Sequence, residues 1–223
     1  MIERMFPRFH TAFCGALGML ALASAFAAAP QLTVQMYTVA PVPPEILDLA
    51  APEAARILRA LPVRLNWLNC SAPSHPEVCE TPSLPTDLRV RLVPKALAPA
   101  SRNALGMAMW SDSGSSAALF YDRALSIRRP GLFLAQILGR AMAHEVVHLL
   151  LGTTSHDDHG LMKREWNAED LHFDSGSSLE LSPAGIEAIR NGAEMRMASV
   201  DGEGKRVQVG LVAKPRSYGP PVQ

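Results

Sequence analysis

The chain has 223 residues, of which 48% are hydrophobic and 19% are charged, a composition that is ordinary for a globular protein and sufficient for one well-filled core. Its 21 basic and 21 acidic residues give a formal net charge of zero. Because the lysines and arginines are also scattered along the chain, no basic face is available to bind phosphates, and nucleic acid is not expected as a partner.

Residues 1–29 have the three-part layout of a secretory signal peptide, in which two arginines precede an apolar run that ends in small residues. We expect cleavage after Ala27 or Ala29. The mature protein is then exported to the periplasm or the extracellular space and has no stable membrane association. The alternative is a membrane anchor, which the short apolar run and its break at Pro30 disfavour.

Cys70 and Cys79 are the cysteines that remain after the signal peptide, with its Cys14, is removed. An even number of cysteines in an exported chain favours a disulfide bond between them. Such a bond would staple the proline-rich loop 71–85 and stabilise the fold by about 2 to 3 kcal/mol. The alternative, a pair of thiolate metal ligands, normally needs a shorter spacing and a second pair.

The first part of the mature chain alternates between strand and helix patterns. Residues 31–40 alternate and are rich in β-branched side chains, which predicts a strand. Apolar residues then recur with helical spacing over 43–60, with a kink expected at Pro52. Strand character returns over 63–69.

Three further strands are predicted after the proline-rich loop, at 88–93, 105–110 and 117–124. A turn over 112–116 separates the last two.

A strongly apolar helix is predicted from Leu132 to Leu151, with Gly152 just past its end. Its apolar residues go almost all the way round, which indicates burial in protein, and polar residues interrupt it too often for a membrane span. A second helix is predicted from about Ser182 to Met197. Residues 201–223 are expected to form a loosely ordered tail.

This order of elements predicts an α/β (α+β) fold for a single domain over residues 30–200. We expect a twisted mixed sheet of about five strands, a backing helix and an active-site helix. The remaining residues are expected to form a small C-terminal lobe.

The segment His144-Glu145-Val146-Val147-His148 carries the chemistry. Histidines four apart project from one face of a helix and can bind one metal ion. H-E-x-x-H also occurs by chance in unrelated proteins. Here, however, two imidazoles and a carboxylate in an apolar helix would be costly to bury without a bound cation.

Gly152 allows the helix to end in a sharp reversal, since a residue at this point often needs positive φ. The chain can then bring a third imidazole back to the metal. Three protein ligands and one open position are the arrangement of a catalytic zinc site.

The stretch HEVVHLLLGTTSHDDHGLM resembles the extended H-E-x-x-H-x-x-G-x-x-H motif and methionine turn of the metzincin clan of zinc endopeptidases. It is also similar to a group of poorly characterised secreted bacterial proteins of peptidase-like appearance. The resemblance implies these roles: Zn²⁺ ligands His144, His148 and His156, general base Glu145, turn glycine Gly152 and Met-turn residue Met162. The glycine and the third histidine each lie further from His148 than in the family pattern.

The same resemblance implies a role for the predicted strand 105–110. In the metzincins the strand in this place in the order runs antiparallel at the sheet edge and holds extended substrate. We therefore expect a peptide or protein substrate to bind here by strand addition.

Other ligand assignments remain open at this point. His159 is the main rival of His156 and is otherwise expected to contact the ligands or the substrate. Glu169 is a carboxylate candidate, as in thermolysin-like enzymes. Met162 alternatively belongs to the core packing, and His75 and His172 have no spacing partner and are expected at the surface.

Hydrolysis of peptide bonds by a zinc-activated water is the leading functional hypothesis, with Glu145 accepting the proton of the water. One alternative is a non-catalytic zinc-binding protein, which would have no need of Glu145. Another is a zinc hydrolase that acts on a non-protein amide, such as a peptidoglycan cross-link.

Overall fold

A computed structural model describes residues 29–111, 114–130, 133–166, 170 and 181–200. The predicted signal peptide, except its last residue, and the predicted tail 201–223 lie outside these residues. Glu169 and His172 also lie outside the described part of the chain.

The described residues form five strands and three helices in the order expected from the sequence, with one additional short helix, α2 (Tyr121–Ser126). They are β1 (Gln31–Thr38), α1 (Pro44–Leu58), β2 (Arg64–Asn69), β3 (Asp87–Val93), β4 (Gly106–Ser111), β5 (Gly114–Phe120), α2 (Tyr121–Ser126), α3 (Leu134–Leu151) and α4 (Pro183–Ala198).

The strands form one mixed sheet in the order β2-β1-β3-β5-β4. β1 is parallel to β2 and β3, and β3 is parallel to β5. β4 is antiparallel to β5 and lies at the edge of the sheet. The prediction of a mixed α/β sheet of about five strands is confirmed, as is the edge position expected for residues 105–110.

One face of the sheet forms the core beneath the helices. The register places Val34 opposite Leu88 and Met36 opposite Val90, so buried apolar side chains line up across the strands. α1 and α3 pack against each other over this face. The active-site helix predicted from the sequence is therefore held by the sheet on one side and by α1 on another.

The prediction of a strand over 117–124 is wrong in its second half. β5 already begins at Gly114, ends at Phe120, and is followed directly by α2. The run of apolar residues ends at Phe120 and Tyr121. Long-range contacts of Arg123 fix the helical turn, because its guanidinium donates to the carbonyls of Ser101 and Ala104. Such tertiary contacts override weak strand propensity.

α3 is buried over nearly its whole length, as its sequence predicted. Of its residues only Gln136 and Leu151 are partly exposed. Gly152 ends the helix in the left-handed conformation, with φ of 65°, and its N–H donates to the carbonyl of His148 at 2.9 Å. The expectation of a glycine with positive φ at this reversal is confirmed.

None of the helices in the described residues combines the length and the apolar character that a membrane span requires.

α4 closes the core from the C-terminal side and is anchored by one arginine. Ile189 and Ala193 are buried in the core. Arg196 donates hydrogen bonds to the carbonyls of Pro85 and Leu149 and to the hydroxyl of Ser115. One guanidinium therefore connects α4 to the end of α3 and to the sheet.

Cys70 and Cys79 form the predicted disulfide bond. It links the end of β2 to a short 3-10 turn at Glu77–Cys79, and both cysteines are buried. Tyr37 also donates a hydrogen bond to the carbonyl of Cys79 at 3.0 Å. The bond thus holds the proline-rich loop against the sheet.

Replacing both cysteines with alanine is expected to lower the free energy of unfolding by about 2 to 3 kcal/mol, because the short closed loop is freed in the unfolded chain. Urea unfolding of the variant measures this loss. Reducing the bond in the unmodified protein should give a similar loss, and an unchanged midpoint in both experiments would contradict the prediction.

Candidate metal centre

Three histidine rings converge at the C-terminal half of α3. His144 and His148 are 7% and 3% exposed, and their Nε2 atoms are 3.0 Å apart. His156, on the loop after α3, places its Nε2 3.3 Å from that of His148. The three ring nitrogens lie within 4.8 Å of one another, so this group can hold a metal ion.

Backbone carbonyls orient two of the rings. Nδ1 of His144 donates to the carbonyl of Leu161 at 2.7 Å, and Nδ1 of His148 donates to that of Thr153 at 2.8 Å. A carbonyl oxygen can only accept, so the ring hydrogen is on Nδ1 and the lone pair of each neutral ring is on Nε2. Both lone pairs therefore face the shared space, as metal ligation requires.

Burial keeps these rings neutral. It lowers the pKa of His144 to about 4 and that of His148 to about 3, and the neighbouring rings add to the effect. The pKa of His156 is also lowered, first by burial and then by the positive charge of Arg164. Neutral imidazole is the form that binds a metal, so the site needs no proton loss at neutral pH.

Two of the three spacings between the ring nitrogens fit a tetrahedral zinc ion. Ligand nitrogens at about 2.0–2.1 Å from zinc are roughly 3.3–3.4 Å apart at tetrahedral angles. The distances of 3.0 and 3.3 Å between the Nε2 atoms are close to this value. Three histidines of this kind have the ligand number of catalytic zinc sites.

Glu145 is buried beside this group and is only 4% exposed. The N–H of Ala108 in β4 donates to its carboxylate, whereas Oε2 has no hydrogen-bond partner among the described residues. Burial raises the pKa of Glu145 to about 8, against the lowering effect of the Ala108 hydrogen bond. The carboxyl group can therefore gain and lose a proton near neutral pH.

This raised pKa predicts how the stability of the metal-free protein depends on pH. Between the unfolded value of 4.5 and about 8, the folded state holds a proton that the unfolded state has released, so stability falls as pH rises. Glu145→Gln removes this contribution. The free energy of unfolding of the metal-free variant, measured with urea, should rise relative to that of the metal-free unmodified protein from pH 5 to pH 8. A difference that does not change with pH would contradict the raised pKa of Glu145.

Gly106 of β4 leaves the room that Glu145 occupies. A Cβ atom at this position would lie 2.7 Å from Oε1 and 2.8 Å from Cγ of Glu145, and 2.9 Å from the carbonyl oxygen of Ala118. Glycine is therefore required here by close approach.

The loop after α3 passes beneath the histidines. The N–H of Asp157 donates to the carbonyl of Met162 at 2.9 Å, and Met162 itself is 2% exposed within the core. The ring of Trp166 lies edge-on to His144 at 5.4 Å, and the guanidinium of Arg140 stacks on the same indole at 5.2 Å.

Among the described residues, the two remaining histidines named from the sequence do not join this group. His159 is exposed and is not one of the three grouped histidines. His75 is half-buried, where its ring contacts Glu80 and the carbonyl of Ala72.

The histidines and Glu145 open into a cleft of about 470 Å³. The cleft is lined by segments 100–108 and 163–166, by Ile127 and by residues of α3. No sequence pattern indicated that segment 100–104 or Arg123 lies at this cleft. Gly106, inside the predicted strand 105–110, was the one detectable signal for a close approach, because glycine in a strand often marks one.

No protein-family model matches this chain, and no curated protein matches it at a significant level. Among solved structures, archaemetzincin from Methanopyrus kandleri is 17% identical, and the match covers 77% of this chain and 99% of that chain with a TM-score of 0.44. A zinc-dependent peptidase from Methanocorpusculum labreanum is 12% identical, with 70% and 99% covered and a TM-score of 0.45. Both TM-scores are low, so the geometry of the site carries the functional conclusion.

Proposed function

We propose that the chain is an exported zinc-dependent endopeptidase in which His144, His148 and His156 hold the metal and Glu145 is the general base. The observation that carries this proposal is the convergence of three neutral imidazole nitrogens beside a buried carboxylate, at the base of an open cleft. A purely structural metal site has no need of that carboxylate or of the cleft.

Zinc bound by the three histidines supplies Lewis acidity, which polarises a carbonyl oxygen and makes water more acidic. Glu145 accepts the proton of the attacking water and later donates it to the departing amine. The Ala108 N–H donates to its carboxylate and fixes the direction of this group.

The position of β4 supports binding of an extended peptide. β4 is the edge strand, and its Gly106 and Ala108 lie against Glu145. A peptide paired with the outer side of this strand would therefore pass close to Glu145. Met109 and Trp110 are 36% and 37% exposed on the same strand, and they offer apolar contacts to substrate side chains.

The disulfide bond supports the proposal of export, because such bonds persist in oxidising compartments. The predicted signal peptide over residues 1–29 would direct the chain to the export machinery. Secretion assays with and without these residues would test this part of the proposal.

The proposed activity is tested with the chain that lacks residues 1–29. We expect about one zinc per chain by elemental analysis, and cleavage of an unfolded protein that stops with a chelator and returns when zinc is added. Zinc binding without cleavage of any unfolded protein would contradict the peptidase proposal, and absence of zinc would contradict the metal assignment.

Gly106→Ala is expected to lower the rate of hydrolysis by about a hundredfold while zinc remains bound. The new methyl group would displace the Glu145 carboxylate, and a misplacement of about 1 Å can cost this much. Gly185→Ala is the matched control, because its Cβ would make only ordinary contacts, with the hydroxyl of Ser182 at 3.4 Å and Cβ of Leu181 at 3.8 Å. Equal rates for the two variants would contradict the role of Gly106.

A further inference from the structure

We propose that the cleft selects substrates that carry a carboxylate close to the scissile bond, and that Arg102 and Arg164 bind this carboxylate. The inference rests on the proposed peptidase function and names its class of substrate. It concerns the side chains at the rim of the cleft and not the metal ligands.

The cleft has an excess of positive charge, although the whole chain has a net charge of zero. Its charged lining residues are Arg102, Arg123, Lys163, Arg164, Glu145 and Glu165. Lys163 is neutralised by an ion pair with Asp170 at 2.7 Å. Three arginines then face two carboxyl groups, and a bound zinc ion would add to the positive charge.

Arg123 holds the backbone of the cleft lining and is not proposed to bind substrate. Its guanidinium donates to the carbonyls of Ser101 and Ala104, the residues that come before and shortly after Arg102. The backbone of this rim segment is therefore anchored on both sides of Arg102. The position from which the Arg102 side chain extends is fixed before substrate binds.

A hydrogen bond across the cleft brings the two proposed arginines near each other. Asn103 donates to the carboxylate of Glu165 at 3.2 Å. Arg102 and Arg164 are the sequence neighbours of these two residues, and both side chains line the cleft. Among the described residues, neither arginine has a hydrogen bond or an ion pair with a carboxylate.

Arg164 also lies within electrostatic reach of the metal ligands. Burial is the main cause of the lowered pKa of His156, and the positive charge of Arg164 is the next. A group held by Arg164 would therefore sit near the reacting part of the substrate, and not at a remote point of the surface.

Guanidinium groups bind carboxylates through paired, charge-assisted hydrogen bonds. Two arginines that line one cleft, without a carboxylate partner among the described residues, suit binding of a substrate carboxylate. That carboxylate comes either from an Asp or Glu side chain of the substrate or from its free C-terminus.

The test compares internally quenched peptides of one sequence that carry Glu or Gln at each position beside the scissile bond, with free or amidated C-termini. We expect kcat/KM for a Glu peptide to exceed that of its Gln partner by roughly tenfold or more at low salt, and less at high salt. Preference for the free C-terminus over the amide, with no effect of internal Glu, would assign the carboxylate to the chain end.

Arg102→Gln and Arg164→Gln should each reduce the Glu to Gln ratio of kcat/KM by roughly tenfold. Arg91→Gln is the control, because Arg91 is exposed on β3 outside the cleft, and its ratio should not change. Equal kcat/KM for all peptides in the unmodified protein would overturn the inference and leave the peptidase proposal intact.

A binding measurement separates the inference from catalysis. Fluorescence anisotropy of labelled Glu and Gln peptides is measured with the zinc-loaded Glu145→Gln protein. Tighter binding of a carboxylate-bearing peptide, lost in the Arg164→Gln background, supports the inference even if no peptide is cleaved. Equal binding of all peptides overturns it.

Discussion

Replacing Glu145 with glutamine lowers the rate of peptide hydrolysis by about 10²- to 10⁴-fold, the range typical for loss of a general base, while zinc remains bound. The amide has nearly the shape of the carboxyl group and can still accept the hydrogen bond from Ala108. It cannot accept a proton from water. The three histidines keep their positions, so only the proton transfer is lost.

The measurement is kcat on a quenched peptide together with zinc content in the same preparation. Glu45→Gln is a suitable control, because Glu45 is exposed in the first turn of α1 and lies outside the cleft. An undiminished rate in the Glu145→Gln protein would refute its role as base. A low rate accompanied by loss of zinc would point instead to a role in the metal site.

Replacing His148 with alanine is expected to weaken zinc binding by more than about a hundredfold. Mutating a residue that only hydrogen-bonds to a metal ligand already lowers metal affinity by about 10- to 100-fold, and loss of the ligand itself should cost more. Nε2 of His148 lies 3.0 Å from Nε2 of His144 and 3.3 Å from Nε2 of His156. Its removal leaves two ligands and an open space at the centre of the group. Zinc affinity is measured by competition with a coloured chelator.

His156→Ala and His159→Ala form a matched pair for the third ligand. Both histidines lie on the loop that follows α3, but only His156 belongs to the grouped nitrogens. We expect His156→Ala to weaken zinc binding as strongly as His148→Ala, and His159→Ala to leave it unchanged. The opposite result would assign the third ligand to His159, and retention of zinc in both variants would indicate a ligand outside this loop.

The parts of the site that could be predicted from sequence depend on local spacing. The four-residue separation of His144 and His148 places both on one face of a helix. The glycine at 152 predicts the reversal that returns His156. Each of these inferences needs only the geometry of one helix and one turn, and the structure places the three histidines together.

The parts that could not be predicted depend on contacts between distant segments. Gly106 meets Glu145 only because β4 is the edge strand beside α3. Asn103 donates a hydrogen bond to Glu165, which lies 62 positions later in the chain. No local sequence pattern predicts such a contact. The wrong strand assignment for residues 121–124 has the same origin, because Arg123 is fixed by carbonyls far away in sequence.

X-ray absorption at the zinc edge of the purified, zinc-loaded protein tests the central claim most directly, because it reports the ligand set itself. We predict three imidazole nitrogens and one further light atom from solvent, all at about 2.0–2.1 Å, and loss of one imidazole in the His156→Ala protein. Sulfur ligands, four imidazole nitrogens, or an unchanged spectrum in that variant would contradict a catalytic site built from His144, His148 and His156.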